Sequence, residues 1–176
     1  MLIKKPLLYF PLFLFLACKS DDSSTLFTRL TKNQTGIDFT NELALDKDFD
    51  VFRYRNFYNG GGVAIGDINN DGLPDIYLTA NAKPNKLYLN KGNFEFEDIT
   101  EKAGVAGIKV WSTGVSMADV NGDGLLDIYV CNSGDIMGGY RENELFVNNG
   151  DLTFTESASE YGLDDKGFGT HAVFFD

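Results

Sequence analysis

The sequence has little of what most active sites are built from. It holds one histidine, His171, and two cysteines, Cys18 and Cys131, in 176 residues. A lone histidine reads as structural, and neither a Cys–His nor a Ser–His arrangement suggests itself. Basic residues are scarce too: 15 Lys and Arg stand against 26 Asp and Glu, for a formal net charge of −11. Nucleic-acid binders carry basic patches or stripes, so this balance argues against nucleic acid as a partner. Long apolar runs are missing except for the 11 residues Pro6–Leu16, too short for a spanning helix, which needs about 20. What is there is an acidic chain with 14% aromatic residues and 19 glycines. That is a mixture of strand formers and turn formers, of a length that suits one domain.

Much of the acid sits in one pattern. Asp67–Asp75 reads Asp-Ile-Asn-Asn-Asp-Gly-Leu-Pro-Asp, and Asp119–Asp127 reads Asp-Val-Asn-Gly-Asp-Gly-Leu-Leu-Asp. Both are D-x-N-x-D-G-x-x-D. Side-chain oxygens at positions 1, 3, 5 and 9 can converge if the glycine at position 6 turns the chain and the carbonyl at position 7 points inward. Ca²⁺ takes about six to eight hard oxygen ligands in loops of this kind. The candidate ligands are Asp67, Asn69, Asp71, the carbonyl of Leu73 and Asp75 in the first loop. In the second they are Asp119, Asn121, Asp123, the carbonyl of Leu125 and Asp127. The competing reading is a turn rich in Asx hydrogen bonds, since Asn, Asp and Gly favour turns anyway. Two copies with one ligand spacing favour the metal. An EF-hand fits less well. Its loop ends in a bidentate Glu at position 12, where this chain has Leu78 and Val130. The residues behind each loop, Ile-Tyr-Leu-Thr and Ile-Tyr-Val-Cys, read as strand rather than helix.

The loops belong to a longer repeat. Gly62–Asp67 leads into the first and Gly114–Asp119 into the second. Behind them come Asn85–Gly92 with Phe94–Phe96, and Asn143–Gly150 with Leu152–Phe154. Asp119 follows Asp67 by 52 residues and Asn143 follows Asn85 by 58. The extra length falls in Ser133–Glu142, a Gly-rich loop whose Met137 and Tyr140 make it either a contact loop or a tolerated insertion. A third copy opens at Gly169–Asp176, where Asp176 takes the place of Asp67 and Asp119 as first ligand, and the sequence breaks off inside that loop. Each unit offers four short strands. Such units at this period predict an all-β fold of β-propeller blades, with repeat one over about 62–110 and repeat two over about 114–166. Two blades and a fraction do not close a ring, so the expectation is an incomplete propeller. Blades bury their faces against both neighbours. The expected core is therefore Val63, Ile65, Ile76, Leu78, Leu87 and Leu89 in one unit, and Val115, Met117, Ile128, Val130, Leu145 and Val147 in the other. The outer face of repeat two should be left uncovered. Upstream, Phe49–Tyr58 partly alternates and reads as a strand before the breaker Gly60-Gly61-Gly62.

The N-terminal residues read as a targeting segment. Lys4 and Lys5 form a positive start, Pro6–Leu16 an apolar run of signal-peptide length, and Ala17 a small residue before Cys18. This resembles a bacterial lipobox, in which the cysteine is freed and lipidated. Phe15 and Leu16 depart from that pattern, which has Leu and then a small residue there, and plain secretion is the alternative. Lys19-Ser20-Asp21-Asp22 resembles the acidic tract of surface lipoproteins of Bacteroidetes. With Cys18 lipidated, no intrachain disulfide is left for Cys131, which reads as a strand residue. Residues 18–48 then form a tether and lead-in to a repeat region over 49–176.

The loops and their flanking segments resemble FG-GAP/VCBS repeats, the Ca²⁺-binding blades also seen in integrin α-subunit propellers. Phe57–Asp75, Asn85–Asn90 and Trp111–Gly114 are most similar to bacterial relatives of cartilage acidic protein 1. The resemblance covers about Phe49 to Asp176 and implies a seven-bladed propeller with about one Ca²⁺ per complete loop. Of functional residues it carries over only the loop ligands. The expectation is a binding or adhesion module with a structural metal and a protein or glycan ligand, exported and attached to a membrane through the lipid anchor that the N-terminal segment resembles. The alternative is an extracellular carbohydrate-active or other hydrolytic enzyme on the same scaffold, because paired carboxylates are plentiful.

Overall fold

The computed structural model describes residues 25–43, 50–109, 111–133 and 141–175. The N-terminal apolar run read as a signal, Cys18, residues 44–49, most of the Gly-rich loop 133–142 and Asp176 lie outside these residues. Among the described residues no helix is long and apolar enough to cross a membrane.

A single helical turn, α1 (Lys32–Thr35), precedes the sheets. Two four-stranded antiparallel sheets follow, each in plain sequence order. The first is β1 (Val63–Gly66), β2 (Asp75–Leu78), β3 (Lys86–Asn90) and β4 (Phe96–Asp98), closed by the turn α2 (Thr100–Ala103). The second is β5 (Ser112–Ala118), β6 (Asp127–Asn132), β7 (Glu144–Asn148) and β8 (Phe154–Glu156), closed by the turn α3 (Ala158–Tyr161). Up-and-down sheets of four strands, repeated in tandem, are propeller blades. Each acidic loop links the first and second strands of its blade. Position 9 of each loop is the first residue of a strand, β2 or β6, as the strand reading and not an EF-hand requires.

The blades meet through their first strands, and glycine sets how closely. A Cβ on Gly62 would stand 2.8 Å from the Thr113 carbonyl oxygen and 3.0 Å from the Cα of Gly114. The next contact repeats this. A Cβ on Gly114 would stand 2.4 Å from the Thr170 oxygen, and the Thr113 hydroxyl donates to the Gly169 carbonyl at 2.8 Å. Residues 169–175 therefore lie against β5 as β5 lies against β1. Between the sheets, Ala64, Tyr77, Leu87 and Leu89 of the first pack against Val115, Ile128, Val130 and Phe146 of the second.

The expected core of repeat two is buried, with Met117 and Val147 half-buried; in repeat one two of the six residues, Val63 and Ile65, are exposed. Val63 is 57% exposed and Ile65 64%. Side chains alternate along a strand, so Ala64 turns to the second blade while Val63 and Ile65 look away from it. The far face of repeat two, expected bare, is covered instead. Tyr129, Cys131, Leu145 and Ala158 cluster there with Leu163 and Ala172, and Phe174 meets the Tyr129 ring edge-on at 5.5 Å.

Three local expectations differ. Residues 50–58 form turns, not a strand, and bring Tyr54 and Phe57 against Trp111. The last strand of each blade starts two residues later than read. Phe94 and Leu152 sit at φ +62° and +67°, inside the hairpin turn, because the chain reverses through left-handed residues there. The turns α2 and α3 were not read at all; each is one helical turn stopped by a glycine at positive φ, Gly104 and Gly162.

Candidate functional site

The two acidic loops take the same turn and share most of its bonds; the second adds one from the Gly122 N–H to Asp119 at 2.7 Å. Asp67 Oδ1 accepts the Asp71 N–H at 3.1 Å and Oδ2 the Gly72 N–H at 2.7 Å. Asp119 accepts the Asp123 and Gly124 N–H groups at 3.1 and 2.8 Å. Position 3 repeats as well: Asn69 Oδ1 accepts from Asp71 N–H at 3.2 Å, and Asn121 Oδ1 from Asp123 N–H at 3.0 Å. Position 5 turns one oxygen to the amide of position 7, Leu73 or Leu125, at 2.8 Å in both loops. The glycines at position 6, Gly72 and Gly124, both sit at φ +85°. That is left-handed backbone, which glycine adopts without a Cβ penalty.

Position 9 stands apart from the rest. Asp75 is fully buried, and its carboxylate joins two backbone segments: it accepts from Ile68 N–H at 3.0 Å and from Asn90 N–H at 2.8 Å. Asp127 does the same with Val120 at 2.9 Å and Asn148 at 2.8 Å. Burial pushes both carboxyls above their usual range; the backbone donors pull the other way, and the negative charge of the two other loop aspartates adds to the rise. Asp119, exposed and held by amides led by that of Gly124, is shifted down.

The structure thus brings positions 1, 3 and 5 of each loop together through shared amides and assigns position 9 a clamping role that spacing alone does not reveal. Among the described residues, no three His, Cys, Asp or Glu side chains are gathered closely enough to hold a metal by themselves. The donor set nevertheless fits a hard cation. It is all oxygen and includes the asparagine and peptide oxygens that such a cage needs besides carboxylates.

Two further polar devices recur and were missed. Tyr77 and Tyr129, both buried, donate their hydroxyls to the carbonyls of Val105 and Leu163. Asn85 and Asn143 accept from the Ala80 and Asn132 amides at 2.9 Å. The tyrosines fasten the segment after each closing turn to its own sheet, and the asparagines brace the connection between the second and third strands; their recurrence in both repeats is the signal that could have found them. Elsewhere, a cavity of about 350 Å³ opens at the end of β1 and β5 remote from the loops, lined by Tyr54, Asn59, Gly62, Thr113 and His171 among others. Among the described residues no carboxylate lines it, so these supply it with no glycosidase acid pair. Cys131 is buried in β6 and free, its thiol pushed up by burial to about 11.

Comparison with known proteins agrees with this geometry. Residues 67–130 match the model of the FG-GAP-like repeat. The chain is 36% identical to cartilage acidic protein 1 of Xenopus tropicalis over 106 residues, which is 60% of this chain and 16% of that protein. It is 39% identical over 72 residues to the human protein of that name, covering 40% of this chain and 11% of the relative. The mouse protein is also 39% identical, over 69 residues, again 11% of its length. The chain therefore spans about a sixth or less of these relatives. With two blades and two matching loops, residues 67–130 of the chain carry an FG-GAP-like repeat.

Proposed function

We propose that the chain is an exported calcium-binding repeat module that works by binding, not by catalysis. The observation that carries this is the duplicated loop: one oxygen donor set, twice, in one conformation, at the tip of the first hairpin of each blade. Asp67, Asn69, Asp71, the Leu73 carbonyl and Asp75 would hold one Ca²⁺. Asp119, Asn121, Asp123, the Leu125 carbonyl and Asp127 would hold another, and Asp176 would begin a third loop. The metal's part is structural: it offsets the repulsion among three carboxylates per loop and ties β1 to β2 and β5 to β6. Extracellular modules bind Ca²⁺ at about 10⁻⁴ to 10⁻³ M, so such sites fill outside a cell. The ligand class is an extracellular protein or glycan, and Cys18 is the lipidation site that attaches the chain to a membrane.

Calorimetric titration of the EDTA-treated chain with CaCl₂ tests the metal. Uptake should accompany a gain in stability of about 2.7 kcal/mol at a hundredfold excess over Kd. No heat of binding and no shift in melting would sink the calcium reading. For the anchor, Cys18→Ser should move the protein from the membrane to the soluble fraction; unchanged fractionation counts against lipidation there.

A further inference from the structure

Two asparagines tie the first acidic loop to the second. Asn70, position 4 of the first loop, donates its side-chain amide to the carbonyl of Gly124, position 6 of the second, at 3.0 Å. Asn148, buried in β7, donates one amide hydrogen to the Ile68 carbonyl in the first loop at 2.8 Å and another to the Leu126 carbonyl in the second at 3.1 Å. Its backbone N–H meanwhile holds the Asp127 carboxylate at 2.8 Å.

The bonded peptides are working parts of the loops. The Gly124 N–H closes the second loop onto Asp119 at 2.8 Å, and the Ile68 N–H holds Asp75 at 3.0 Å. Each shared residue thus serves one loop with its amide and the link with its carbonyl. The link also has a direction. Asn90, which stands in repeat one where Asn148 stands in repeat two, donates its side-chain amide to the Pro74 carbonyl of its own loop. Position 4 of the second loop is Gly122, which has no side chain with which to pass the link onward.

We propose that the two loops take up calcium as a coupled pair, with occupancy of either raising the affinity of the other. This rests on the calcium reading above. A filled second loop fixes Gly124 and Asn148, and these hold Asn70 and Ile68 in place before the first loop binds. That ordering then no longer opposes the second binding event. By linkage the effect must be equal in both directions.

Calorimetry of the intact chain with CaCl₂ tests this. Asp71→Ala and Asp123→Ala each leave one complete loop. The remaining loop should bind at least about fivefold more weakly than within the pair, by the same factor in both variants. Asn70→Gly keeps every ligand and suits a backbone at φ +57°; it should shrink the factor toward one. Thermal melting confirms that each variant is native. If each single-loop variant binds as tightly as the pair, or if Asn70→Gly leaves the factor intact, the coupling is overturned while calcium binding stands. No uptake by the unaltered chain overturns both.

Discussion

A carboxylate in these loops does one of two jobs, and burial separates them. Asp71 is exposed at the loop tip and bonds within the loop, whereas Asp75 is fully buried and satisfies the amides of two separate backbone segments. Removing an acceptor from a buried amide costs about 1–3 kcal/mol per group left unpaired. In EDTA, where no metal contributes, Asp75→Ala should therefore lose about 3–5 kcal/mol, since two amides are orphaned together. Asp71→Ala should stay within about 0.5 kcal/mol under the same conditions, as exposed substitutions usually do. Urea denaturation of both variants with and without Ca²⁺ separates the clamp from the ligand role. Equal losses in EDTA would mean that position 9 has no structural duty of its own.

At the level of elements, strand residues were legible and the joints between them were not. The repeated Gly-Val-x-x-x-Asp pattern falls on β1 and β5, and Asn-x-Leu-x-x-Asn on β3 and β7, because period-two apolar sequence has one good solution in a blade. Residues 50–58 misled because their aromatics alternate like a strand, while Tyr54 and Phe57 are in fact drawn to Trp111 by tertiary packing. The latches from Tyr77 to Val105 and from Tyr129 to Leu163 are legible only in part for a related reason: recurrence marks the tyrosines, but each partner is brought to them only by the folded blade. Glycine has two meanings that sequence does not separate. Gly72 has left-handed φ and nothing within 4 Å of an added Cβ, whereas Gly62 has ordinary φ and a backbone oxygen at 2.8 Å. Gly62→Ala should cost about 1–3 kcal/mol through overpacking between the blades. Gly72→Ala should cost about 1–2 kcal/mol through backbone strain alone. Guanidinium unfolding gives the totals. Small-angle scattering or proteolysis at the blade junction then distinguishes them: only Gly62→Ala should loosen the junction.

For the molecule as a whole, one repeated sequence yields two unlike faces. Ile128 is fully buried between the sheets, and Val115 beside it is 3% exposed, yet the matching Ile76 and Val63 of repeat one are half-buried and 57% exposed. The residues are equivalent; what differs is whether a neighbouring blade stands against them, which is the nearest-neighbour logic of repeat proteins. Stability should follow the neighbour and not the sequence position. Ile128→Ala empties a filled site in the main core and should lose about 2–5 kcal/mol. Ile65→Ala, at a side chain 64% exposed, should lose no more than about 0.5 kcal/mol. Measured by urea unfolding at several protein concentrations, the contrast should hold at every concentration for Ile128, where the packing partner is in the same chain. If Ile65→Ala costs as much as Ile128→Ala, that face is covered in solution. A cost that grows with protein concentration would trace the cover to a second copy, while a constant one would place it within the chain.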